Sequence, residues 1–136
     1  MSLLHLYLYT GRDTIAIQRF FEAGVARMRI AILEDNPGIG RMLQLNLASA
    51  GYETHVFQEA RGFLDFFAVS GGIDILITDY RLMTERGKSN LSGVDVIQQV
   101  RRGRPDLPAI LISAAPMFEL EDACRDIPGV VILQKF

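Results

Sequence analysis

The chain has 136 residues, 49% of them hydrophobic, with 14 Lys and Arg against 16 Asp and Glu. That is enough apolar mass for one domain with its own core; it excludes two full domains and argues against a disordered chain. A formal net charge of −2 gives no footprint for nucleic acid, the single Cys124 excludes an internal disulfide or a thiolate metal site, and His5 and His55, far apart in sequence, do not indicate a zinc cluster.

No apolar run reaches the roughly 20 residues of a membrane span. Residues 1–9 carry no Lys or Arg to form the charged start of a signal peptide. The expectation is a soluble, cytoplasmic protein. Of the basic residues only Lys88 and Lys135 are lysines.

In chain order, Leu4, Leu6 and Leu8 alternate with His5, Tyr7 and Tyr9 in a strand-like period, and a turn leads to Asp13 as a helix N-cap. Ile15, Ile17, Phe20, Phe21 and Val25 then place an amphipathic helix over residues 13–26. Arg29–Leu33 is a β-branched run too short for a helix. Pro37 suits a first helical turn, Ile39, Met42, Leu43, Leu47 and Ala50 recur at helical spacing, and Gly51 is a natural stop. Residues 54–57 read as a second strand, 60–69 as a short helix and 73–78 as a third strand.

Residues 80–92 are a long polar loop. A helix over 94–102 follows, with Val94, Ile97 and Val100 on one face and basic residues in its last turn. Ala109–Ser113 is a fourth strand, 118–125 a short helix, and 130–133 a fifth strand. From Arg29 on, strands alternate with helices, and the strands are nearly continuous apolar runs. That pattern calls for an α/β domain with a parallel sheet covered on both faces.

Open sheets of this kind bind ligands beyond the carboxyl ends of their strands. Strand one delivers Glu34 and Asp35 there, strand three Asp79, strand four Ser113 and strand five Lys135. Two carboxylates about 4 Å apart repel by roughly 4 kcal/mol at an effective dielectric near 20, so three together need a cation or a raised pKa. An all-oxygen acidic site suits Mg²⁺. Lys135 supplies a point charge fit for a phosphate, and Ser113 a hydroxyl donor. A carboxylate beside such a metal, ammonium and hydroxyl is equipped to accept a phosphoryl group, because aspartate forms an acyl-phosphate.

On these residues the chain resembles the receiver domains of two-component response regulators, the CheY-like family. The resemblance rests on Glu34-Asp35, Asp79, Gly93, Ser113-Ala114 and Lys135, and spans residues 29–136. It implies a doubly wound, flavodoxin-like five-stranded parallel sheet in the order 2-1-3-4-5, and a signalling module that is not an enzyme beyond phosphotransfer to its own Asp and self-dephosphorylation. It also implies that Asp79 accepts a phosphoryl group from a sensor histidine kinase or phosphotransfer protein. Glu34, Asp35, Asp79 and the backbone carbonyl of Arg81 would hold Mg²⁺. Lys135 would contact the phosphoryl oxygens and the Asp79 carboxylate, and Ser113 would move to bond the phosphoryl group and report to the face formed by the fourth helix and fifth strand.

Four departures stand against the family pattern. The loop after Asp79 lacks the usual Met-Pro pair and carries extra residues in 84–92; Ile132 stands where an aromatic residue commonly rotates; Lys135 is followed by Phe136 rather than Pro, which leaves its direction open; and no fifth helix follows the fifth strand. The domain division expected is therefore an N-terminal extension over 1–27 and a receiver domain over 28–136. The helix over 13–26 is expected to fill the groove of the missing helix, within one molecule or across a homodimer, where apolar sheet surface would otherwise lie open.

Gly87-Lys88-Ser89 lacks the earlier glycine and immediate helix of a P-loop, and Gly38-Ile39-Gly40 lacks the third glycine of a dinucleotide fingerprint. The alternative to a phosphorylated switch is a pseudo-receiver, a constitutive protein-interaction module. An aspartyl-phosphate phosphatase is disfavoured, since Arg81 and not an acid stands two residues after Asp79. No membrane and no nucleic acid is expected as a partner of this segment itself.

Overall fold

The computed structural model describes residues 28–70, 72–84, 87–88 and 90–135. Five strands, β1 (Arg29–Leu33), β2 (Glu53–Phe57), β3 (Ile75–Asp79), β6 (Ala109–Ser113) and β7 (Val130–Gln134), form one parallel sheet in the order β2-β1-β3-β6-β7. Counted along the main sheet alone this is 2-1-3-4-5. The helices are α1 (Pro37–Ser49), α2 (Ala60–Ser70), α3 (Gly93–Arg101) and α4 (Met117–Ala123). The extension over residues 1–27, with its expected strand and helix, lies outside the described residues.

Alternation along each strand divides the core in two. On one face Ala31, Leu33, Leu76 and Leu111 meet Phe63 of α2, Val96 and Ile97 of α3 and Leu120 of α4. On the other, Ile30, Ile32, Ile75, Ile77, Ile110 and Val131 join Leu43 and Leu47 of α1. On this second face Ile110 is 0% and Leu133 4% exposed, and α1 is the helix that the described residues contribute to the cluster. β3, central in the sheet, is buried along its whole length.

Local chemistry sets the boundaries. Asn36 caps α1, its side chain accepting from the Gly38 and Ile39 amides, with Pro37 behind it, and Gly51 leaves the helix at φ +96°. Ser92 and Asp95 form a reciprocal capping box at the start of α3.

Two boundaries correct the sequence reading. Residues 73 and 74 precede β3, because Asp74 turns its carboxylate to the Arg29 amide at the sheet's amino edge (2.8 Å). The segment 80–92 is also not all loop: β4 (Met83–Thr84) and β5 (Gly87–Lys88) pair as a short antiparallel ribbon.

Candidate functional site

The parallel register brings the ends of β1, β3, β6 and β7 to one rim. Leu33 is paired with Thr78, Asp79 with Ile112 and Ser113 with Gln134, so the next residues of β1 and β7, Glu34 and Lys135, emerge beside Asp79. Lys135 is fixed by its own amide, which donates to the Ser113 carbonyl at 2.7 Å. Its Nζ donates to both Glu34 oxygens, at 2.8 and 3.0 Å, and to Asp79 Oδ2 at 2.8 Å. The direction left open by the Lys-Phe sequence is thus the one that serves the acids.

Glu34, Asp35 and Asp79 each offer a carboxylate oxygen, all within 4.8 Å of one another. Glu34 is 2% and Asp79 7% exposed, so one ammonium compensates three acids in a largely dry place. Burial pushes Glu34 up to about 7; its hydrogen bond to Lys135 works against this and the Asp79 charge adds to it. Asp35 is raised by burial and by the Asp79 charge. Burial alone would lower Lys135, but its hydrogen bonds to Asp79 and Glu34 more than offset that and hold it above its ordinary value.

A cluster of hard oxygen donors with uncompensated negative charge fits a divalent cation such as Mg²⁺. Both Glu34 oxygens are engaged by Lys135, which leaves Asp35 and the second Asp79 oxygen as the freer donors.

The rim residues are not all joined. Ser113 is buried at the same edge, but its Oγ accepts from the Ala115 amide at 3.1 Å. Arg81 turns its guanidinium outward to Glu119, at 3.1 and 3.2 Å. From Tyr80 and Arg81 a cleft of about 490 Å³ extends past Leu82 and Leu91 to Asp95 and Glu119.

Two further groups shape the site. A Cβ on Gly93 would stand 2.0 Å from the Asp79 carbonyl oxygen, so only glycine lets α3 start this close to the acid. The buried Thr78 hydroxyl donates to that same carbonyl at 2.9 Å. The Ser-x-x-Asp pattern at 92–95 is a capping signal that could have placed the helix start at Gly93, whereas no spacing signals the contact of Gly93 with Asp79.

No family model matches the chain. It is 33% identical over 85 residues to the uncharacterized transcriptional regulatory protein YkoG of Bacillus subtilis (strain 168), covering 62% of this chain and 34% of that one. It is 27% identical over 89 residues to the DNA-binding transcriptional regulator NtrC of Rhizobium meliloti (strain 1021), covering 65% of this chain and 17% of that one. The chain thus matches about a third or less of the length of these curated relatives.

Among solved structures, it superposes on the chemotaxis protein CheY4 of Vibrio cholerae with a TM-score of 0.70 at 18% identity, over 80% of this chain and 87% of the other. It superposes on the response regulator TrrA of Thermotoga maritima, solved in complex with Mg²⁺-BeF, with a TM-score of 0.64 at 24% identity, over 80% and 88%. With its strand order, these neighbours establish that the chain has the CheY-like fold of response-regulator receiver domains.

Proposed function

We propose that this segment is a phosphoacceptor receiver domain of a two-component response regulator, acting in the cytoplasm, with Asp79 as acceptor. The observation that carries the reading is the Lys135 ammonium, bonded at once to Asp79 and Glu34 with Asp35 alongside. In the reaction, an Asp79 carboxylate oxygen attacks the phosphorus of a phosphohistidine on a histidine kinase or phosphotransfer protein. A P–O bond forms, the P–N bond breaks, and its electron pair returns to the imidazole nitrogen, which takes up a proton.

Lys135 holds the Asp79 carboxylate in place and faces the incoming phosphoryl oxygens. Ser113 turns its hydroxyl to one of them. Asp35, Asp79 and the Arg81 carbonyl, with Glu34 directly or through water, would hold Mg²⁺, which when bound neutralises charge on the transferring group. Contacts of this segment are with proteins rather than nucleic acid; DNA binding belongs to any further domain of a longer regulator, as the curated relatives' names suggest for those proteins.

A second reading, a pseudo-receiver that works without phosphorylation, is favoured by Ile132 in place of an aromatic residue. One experiment separates them. Incubation with Mg²⁺ and acetyl phosphate is expected to add the mass of one phosphoryl group, and the gain is expected to vanish in Asp79→Asn. No mass gain in the parent chain would leave the pseudo-receiver.

A further inference from the structure

Ala115, buried in the turn between β6 and α4, is held from both sides. Its amide donates to Ser113 Oγ at 3.1 Å, and its carbonyl accepts from Gln134 Nε2 at 3.1 Å. The next residue, Pro116, is the N-cap of α4 and makes no side-chain capping bond. The start of α4 is therefore tied to the rim by the two bonds to Ala115 and by the Arg81–Glu119 pair, with no cap of its own. Gln134 and Lys135 are consecutive at the end of β7: one side chain reaches this turn, and the other reaches Asp79 and Glu34.

We propose that Gln134 is the switch residue of this domain: its amide holds Ala115, and with it the first turn of α4, in the resting position, and the hold yields when Ser113 turns its hydroxyl to a phosphoryl group on Asp79. The inference rests on Asp79 being the acceptor. A serine that swings toward Asp79 abandons the Ala115 amide, and a buried N–H without a partner is costly. The strain is relieved by displacing Ala115, and the bond in the way is that of Gln134, an exposed side chain that water can replace. Ile132, aliphatic and on the same strand, has no polar group with which to follow that change. Displacement of Ala115 carries the start of α4 and its exposed Phe118 with it.

Amide hydrogen exchange of α4 tests this on the full chain, comparing the parent with Gln134→Leu and with Gln134→Glu, which keeps the length but cannot donate. At rest, both variants are expected to exchange about fivefold faster over 117–123 than the parent, the loss of one hydrogen bond. After Mg²⁺ and acetyl phosphate the parent is expected to rise to that level and the variants to change little, while all three take up the phosphoryl group equally. Resting exchange unchanged in both variants, or a phosphorylated parent with unchanged α4, overturns the switch role and leaves the acceptor reading standing. A parent that takes up no phosphoryl group overturns both, and faster resting exchange in the variants would then make Gln134 a structural tie only.

Discussion

The two ends of the sheet handle charge in opposite ways. At the amino end Arg29 pairs with Glu53, and two further arginines donate to main-chain carbonyls. Arg101 donates to the carbonyls of Leu107, Pro128 and Gly129, and Arg104 to that of Ile73. The Arg29 and Asp74 main chains are linked by the Asp74 amide donating to the Arg29 carbonyl at 2.7 Å. These are the segments that lead into β1, β3, β6 and β7, and forked donors strap them together. At the carboxyl end, among the described residues, three acids face Lys135, and the compact ammonium sits where a point charge is shared between carboxylates. One end is satisfied by the fold itself; the other is left with negative charge to spare, which is what a binding site requires.

This contrast can be broken at either end. The largest effect is expected from Gly93→Ala, whose Cβ would collide with backbone rather than with a flexible side chain. A loss of about 2–3 kcal/mol in urea unfolding is expected, together with reduced phosphoryl uptake, because the displaced carbonyl belongs to Asp79. Arg101→Met attacks the other end. It is expected to cost about 1–2 kcal/mol of stability by the same measurement while phosphoryl uptake stays at the parent level. A fall in uptake to match the fall in stability would show that the two ends are not independent.

The smallest effect is in pH, because Glu34 keeps Lys135 as a partner when it ionises. With a folded pKa raised from 4.5 to about 7, Glu34 contributes stability that is fully present below pH 4.5 and lost as pH rises through 7. Lys135 is shifted upward from 10.5, so its contribution is intact across this window and lost only in strong alkali. The metal-free melting temperature is therefore expected to decline between pH 5 and pH 8, and Glu34→Gln is expected to flatten the decline. Mg²⁺ is expected to raise the melting temperature more at pH 8 than at pH 5, since it needs ionised acids.

The sequence carried most of the sheet and less of the site. The runs at 29–33 and 109–113 match β1 and β6 residue for residue, because strands buried on both faces are written as nearly continuous apolar runs. Ile73 is as apolar as the strand it precedes, so only the partner of Asp74 shows where the pairing of the third strand starts. The ribbon of β4 and β5 has two residues a side, too few for any period to register.

The acids and Lys135 were visible as strand-end residues, since topology alone sends them to one rim. The contact of Lys135 with Asp79 is one the resemblance implies; its bonds to both Glu34 oxygens are not, because side-chain reach across 101 residues leaves no trace in spacing. Gln134 leaves no mark in the sequence at all. An exposed polar residue at a strand end looks like any other until its partner is seen.

Gly93 has a consequence for how a signal can leave the rim. Its amide donates to the Tyr80 carbonyl at 2.8 Å, its Cα lies against Asp79, and the Ser92–Asp95 box closes the same helix end. α3 is thereby held to the acid through backbone, while the start of α4, uncapped, is tied to the rim through side chains, Ser113 and Gln134 on Ala115 and Arg81 on Glu119. The domain has one fixed wall and one hinged wall. A chemical change at Asp79 that moved both would spend its energy on the stiff one; built this way, it can be felt almost entirely on the other.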